Sequence, residues 1–142
     1  MAVVLLVEDN TDLRTFLVQS LTYFGKFEIT GAADGIEGLE QCYALNPACM
    51  VIDVHMPGLD RYQSVRVLRG DPQTADIPLI ILTALAQDQD RFIGLAAGAD
   101  RFLQKPIKPQ DLARAIEDVI RINAEERAKN YSGLAEEEHV YE

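Results

Sequence analysis

Four apolar runs in this chain each end in a reactive polar residue: VVLLVED at Val3 to Asp9, CMVID at Cys49 to Asp53, LIILT at Leu79 to Thr83 and RFLQKP at Arg101 to Pro106. Short, uninterrupted runs rich in β-branched residues suit strands buried on both faces of a parallel sheet. The segments between them have helical periodicity. Asn10 or Thr11 can cap a helix whose apolar positions are Leu13, Phe16, Leu17, Leu21 and Phe24, with Gly25 as its stop. Phe27 to Thr30 alternates as an edge strand does, and Gly35 to Leu45 reads as a helix packed through Ile36, Leu39 and Tyr43 and ended by Pro47. A third helix is expected over about Tyr62 to Arg69 and a fourth over Asp88 to Ala97. A last one starts at Pro109 and packs through Leu112, Ile116, Val119 and Ile120.

Repeated strand-helix units of this length require right-handed crossovers, and hence an open sheet covered on both sides. The expected fold is a doubly wound α/β domain: a five-stranded parallel sheet, flavodoxin-like, with strand order 2-1-3-4-5 and helices on both faces. The domain is expected to occupy residues 1–122. Beyond Ile122 the apolar stripe is lost, Ser132-Gly133 breaks the helical pattern, and EEEHVYE follows. Residues 123–142 therefore read as a solvated acidic extension or linker, with an ordered packing or partner-binding segment as the alternative.

The 13 basic and 23 acidic residues leave a formal charge of −10, a surface that phosphate backbones and anionic lipid heads repel. Direct nucleic-acid binding by this segment is not expected. Ala2 to Val7 is too short for a secretory h-region, and no run approaches the roughly 20 apolar residues of a membrane helix. The expected location is the cytoplasm, with no membrane partner. Cys42 and Cys49 read as small core hydrophobes, since two cysteines make neither a disulfide framework nor a metal quartet. His55 and His139 have no ligand-spaced partner, which argues against zinc or iron.

If the four runs are neighbouring parallel strands, Glu8, Asp9, Asp53, Thr83 and Lys105 gather beyond their carboxyl ends, where such sheets bind ligands. Two unit charges about 4 Å apart repel by about 4 kcal/mol at an effective dielectric near 20, so three adjacent carboxylates need a positive partner. Lys105 and a divalent cation are the candidates. An all-oxygen cluster with an open side suits Mg²⁺. One carboxylate can then act as a nucleophile towards phosphorus. Asp53 is the choice, because it is the single acid ending the most apolar strand, whereas the adjacent Glu8 and Asp9 are better placed to hold metal. Lys105, the Thr83 hydroxyl and loop N–H groups near Met56 would neutralise the phosphoryl oxygens.

Glu8-Asp9, Asp53 followed by VHMPGLD, Thr83-Ala84 and Lys105-Pro106, in that order, resemble the receiver domain of two-component response regulators, over about Val3 to Arg121. The resemblance implies that Glu8, Asp9, Asp53 and the backbone carbonyl of His55 bind Mg²⁺ and that Asp53 is phosphorylated. It implies further that Thr83 is the switch hydroxyl, Phe102 the aromatic switch and Lys105 the phosphate partner, with a cis Lys105-Pro106 bond. The implied donor is a histidine kinase or histidine phosphotransfer protein. The implied output face, for a protein target or a homodimer, combines the fourth helix, fifth strand and last helix. Arg61, where the family usually has Gly, and Ser64, at a usually apolar position, depart from the pattern.

An aspartyl phosphohydrolase is the enzyme rival, but it normally has a second acid two residues after the nucleophile, where this chain has His55. A flavodoxin-like cofactor binder would need to cradle a phosphate where Glu8-Asp9 repel one. The reading is a switch that catalyses only its own phosphorylation and dephosphorylation. A stand-alone switch is favoured, with the N-terminal receiver of a longer regulator as the alternative.

Overall fold

The computed structural model describes residues 1–53, 61–83 and 98–141. Its elements are β1 (Ala2–Val7), α1 (Thr11–Phe24), β2 (Phe27–Ala32), α2 (Gly35–Leu45), β3 (Cys49–Asp53), α3 (Arg61–Gly70), β4 (Leu79–Thr83), β5 (Arg101–Gln104) and α4 (Pro109–Tyr141). The strands form one sheet of order β2-β1-β3-β4-β5, parallel throughout. This is the doubly wound, flavodoxin-like arrangement anticipated from the apolar runs. The helix expected over Asp88 to Ala97 lies outside the described residues.

Side chains alternate across the sheet, so each uninterrupted run feeds two cores at once. Leu5, Val7, Met50, Ile52, Leu79 and Ile81 point to one face, against Cys42 of α2 and Leu68 of α3. Val4, Leu6, Cys49, Val51, Ile80 and Leu82 point to the other, against Leu17 and Leu21 of α1 and Leu112, Ile116 and Val119 of α4. Both cysteines are free and buried, as expected of small core residues. Burial pushes the Cys42 thiol up to about 11 and Cys49 higher still, so neither supplies a thiolate near neutral pH.

Local signals set the helix starts. The Asn10 side chain accepts the Leu13 N–H at 2.9 Å. Asp34 accepts the Glu37 N–H at 2.8 Å while Glu37 reaches back to the Ala33 N–H at 3.1 Å, a reciprocal cap. Leu39 packs against the core as expected, but the other two large residues named for the buried face of α2 do not. Ile36 is 57% exposed and Tyr43 36%, whereas Gly35, Gly38 and Cys42 are buried. A Cβ at Gly38 would sit 2.9 Å from Val7 Cγ2, so the small residues let α2 approach β1 closely and turn its bulky ones outward. Similarly, Phe16 and Phe24 of α1 are exposed, leaving Leu17 and Leu21 to the core.

The last helix continues through Ser132-Gly133 to Tyr141, past the break that the pattern suggested. Ala, Glu, Arg and Lys dominate that stretch, and their helix preference outweighs the roughly 1 kcal/mol cost of one interior glycine. No described helix is long and apolar enough to cross a membrane.

One guanidinium ties the far end of the sheet to α3. Arg69 donates to the carbonyls of Gly98 at 2.9 Å, Ala75 at 2.9 Å and Ile77 at 2.6 Å, and to the Asp100 carboxylate at 2.7 Å. Asp100 in turn accepts the Leu79 N–H that opens β4. Arg69→Met keeps the stem but strands these acceptors, and is expected to lower unfolding free energy by about 3 kcal/mol. Urea denaturation measures it, and a loss below about 1 kcal/mol would show that water replaces the guanidinium.

Candidate functional site

The strand ends gather the acids. Glu8 follows β1 with its N–H held by the Ala32 carbonyl of β2 at 2.9 Å, so the chain leaves the sheet only after this residue. Asp53 closes β3 opposite Leu82, and Lys105 follows β5. Thr83 ends β4 in register with Gln104. Glu8 and Asp53 are 2% and 3% exposed, whereas Asp9 is open to solvent.

Carboxylate oxygens of Glu8, Asp9 and Asp53 all lie within 4.8 Å of one another. Lys105 Nζ makes a short ion pair with Asp53 Oδ2 and stands 3.7 Å from Glu8 Oε2. One ammonium thus faces two buried acids and is the cationic partner that the acidic cluster demanded. It does not compensate Glu8 fully. Burial first, then the adjacent Asp53 carboxyl, push the Glu8 pKa up to about 7, against the opposing pull of Lys105 and the Asn10 N–H.

The donor set fits a hard divalent cation. All three candidate ligands are carboxylate oxygens, one of them at an exposed residue that leaves room for water. Among the described residues, Glu8 Oε2 is buried with no hydrogen-bond partner, the kind of oxygen that a cation satisfies. The fourth expected ligand, the carbonyl of His55, lies outside the described residues, as do the loop N–H groups near Met56.

Phe102, the expected aromatic switch, is half-buried on β5, opposite Ile81 and packed against the core on the α2–α3 face. The Lys105-Pro106 bond is cis. An apolar cleft of about 410 Å³ opens beside Lys105, between α1 and the loop after β5, lined by Leu13, Phe16, Leu17, Leu82, Pro106 and Ile107.

Sequence reasoning passed over one contact. Arg14 Nη1 donates to the backbone carbonyl of Glu8 at 2.7 Å. A side chain acting through main chain leaves no pattern in composition or periodicity. The available signal was position: Arg14 lies in the first turn of the helix that Glu8-Asp9 lead into.

The chain belongs to the response regulator receiver domain family, whose model matches residues 4–117. The probable transcriptional regulator ycf27 of Guillardia theta is 38% identical over 118 residues, covering 83% of this chain and 45% of that protein. Response regulator MprA of Mycobacterium tuberculosis is 35% identical over 136 residues, covering 92% of this chain and 58% of that protein. The chain spans about half the length of the curated relatives it matches. Among solved structures, it is similar to the receiver domain of sensor histidine kinase PA1611 from Pseudomonas aeruginosa PAO1, which has a magnesium ion coordinated in its active site cleft. That domain is 32% identical with a TM-score of 0.76, covering 84% of this chain and 97% of that one.

Proposed function

We propose that this domain is a cytoplasmic signalling switch that takes a phosphoryl group onto Asp53 in a Mg²⁺-dependent reaction with a histidine kinase or histidine phosphotransfer protein. The observation that carries the reading is the convergence of Glu8, Asp9, Asp53 and Lys105 on the carboxyl edge of the sheet. Glu8, Asp9, Asp53 and the backbone carbonyl of His55 would hold the metal. Bound there, Mg²⁺ would neutralise the clustered carboxylates and the equatorial phosphoryl oxygens.

An Asp53 carboxylate oxygen forms the new O–P bond as the donor's N–P bond breaks, and the imidazole leaves with that electron pair. Lys105 shifts its ammonium from the Asp53 carboxylate to a phosphoryl oxygen. The Thr83 hydroxyl is drawn to the same group, and Phe102 turns into the space it vacates, altering the face to which β5 and α4 contribute. The apolar cleft beside Lys105 offers the donor a landing surface next to the nucleophile. The chemistry is confined to the domain's own phosphorylation and dephosphorylation.

Acetyl phosphate with Mg²⁺ is expected to add one phosphoryl group, read by intact mass, and hydroxylamine is expected to remove it as an acyl phosphate. Unchanged mass, or a hydroxylamine-stable adduct, counts against the reading. A second reading places this receiver at the N-terminus of a longer regulator. The greater length of the relatives, one of them a probable transcriptional regulator, supports it. An uninterrupted gene frame encoding a basic domain beyond Glu142 would favour that reading; a stop codon there would favour the stand-alone switch.

A further inference from the structure

Glu8 and Asp9 are consecutive, so the peptide plane between them sets the relative aim of their two carboxylates. Three hydrogen bonds hold the chain on and around that plane. The Glu8 N–H is held by the Ala32 carbonyl at 2.9 Å, and the Asn10 N–H reaches Glu8 Oε1 at 3.3 Å. The third comes from the Arg14 guanidinium, whose Nη1 donates to the Glu8 carbonyl at 2.7 Å. Of the three, only the guanidinium bonds the carbonyl that belongs to the Glu8-Asp9 peptide itself.

Arg14 has a prepared seat. Gly31 of β2 pairs with Leu6 two residues before Glu8, and a Cβ at Gly31 would stand 3.0 Å from Arg14 Cδ and 3.2 Å from Cγ. The missing side chain makes room for the stem to cross β2 and bring the charged head to the Glu8 carbonyl. A charge-assisted hydrogen bond of this length from a planar, permanently charged group fixes direction as well as position. Arg14 gains no ion-pair partner in the arrangement: among the described residues, no salt bridge to it is found. Its bond goes to main chain.

We infer that Arg14, seated on Gly31, is a positioning residue for the divalent-cation site, holding the Glu8-Asp9 peptide so that both carboxylates address one ion. The inference rests on the proposed metal site and adds the group that aims it. It differs in sign from a simple charge effect. A fixed cation near an acidic cluster repels Mg²⁺, so deleting it should tighten binding if charge alone mattered. Loss of aim weakens binding instead, by the 10- to 100-fold typical of groups that orient metal ligands from behind.

Mg²⁺ titration by calorimetry on the whole chain is the test. Arg14→Met, which keeps the stem and loses the donor, is expected to raise the Mg²⁺ Kd about tenfold. Arg14→Lys is expected to recover most of the affinity, since an ammonium can still donate to the carbonyl. Gly31→Ala should weaken binding severalfold in the wild-type background and not further in Arg14→Met, because both changes break one contact. Unchanged or tighter binding in Arg14→Met overturns the inference, as does an additive effect of the two substitutions. Amide exchange in metal-free protein supplies an independent readout: Glu8 and Asn10 should exchange faster in Arg14→Met while core strand amides do not. Uniformly faster exchange would mark Arg14 as a general stabiliser and overturn the assignment. Failure of wild-type acetyl phosphate labelling alongside a tenfold Kd shift would remove the phosphorylation reading and leave the clamp standing.

Discussion

Asp53→Asn is expected to abolish phosphoryl uptake from acetyl phosphate, lowering the initial rate by at least about 10³-fold, while Lys105→Met lowers it by about 10²-fold. The two losses have different origins. An amide the size of the carboxylate fits the same 3%-exposed position but has no anionic oxygen to form the O–P bond. Removing Lys105 keeps the nucleophile and deletes one preorganised cation, the scale of effect measured when a single stabilising donor is lost. Misfolding can be told apart from lost chemistry. Asp53→Asn removes the second-largest influence that raises Glu8, and leaves Lys105 facing Glu8 at 3.7 Å, so the metal-free variant should be at least as stable as wild type. Lys105→Met, in contrast, removes the cation that faces both buried carboxylates and should be destabilised without metal. Intact-mass time courses with thermal melts of each variant check both halves. Undiminished labelling of Asp53→Asn would move the nucleophile elsewhere in the cluster, Asp9 first.

What could be read from residues alone divides along a physical line. Strand identity followed from runs such as Val4–Val7 and Leu79–Leu82, because a strand buried on both faces admits no polar interruption and its first polar residue marks its end, whereas strand order came with the flavodoxin-like fold class. The same logic placed Glu8, Asp53 and Lys105 on one edge. Helix faces were less legible where size and burial disagree. Ile36 and Tyr43 are large and point outward, because Gly35, Gly38 and Cys42 allow α2 to lie closer to β1 than bulky residues would. Contacts to main chain were invisible. Arg69 organises three carbonyls and Arg14 one, yet an arginine bonded to backbone looks in sequence like any surface arginine. The last helix runs through the break expected at Ser132-Gly133 for a related reason. Loss of an apolar stripe signals loss of packing, and helix propensity can continue where packing stops.

Raising the pH from 5.5 to 8 is expected to cost the metal-free protein about 2 kcal/mol of stability through Glu8 alone. The folded-state pKa of Glu8 is raised from 4.5 to about 7, chiefly by burial and then by Asp53. The folded protein therefore binds this proton more tightly than the unfolded chain does. The resulting stabilisation is complete below 4.5 and is lost as pH climbs through 7. The Glu8 share is the difference between wild type and Glu8→Gln. The variant should have a flatter profile and exceed wild type in stability at pH 8, by up to about 3 kcal/mol for a shift of this size. Cation binding inverts the dependence. A metal ligand must be deprotonated, so Mg²⁺ affinity should fall with pH below about 7, and calorimetry in buffers of different ionisation enthalpy should register proton release on binding at pH 6. Parallel stability profiles for wild type and Glu8→Gln, or Mg²⁺ binding with no proton release at pH 6, would mean that Glu8 is already ionised beside Lys105. The strain in the acidic cluster would then have to be sought at Asp53.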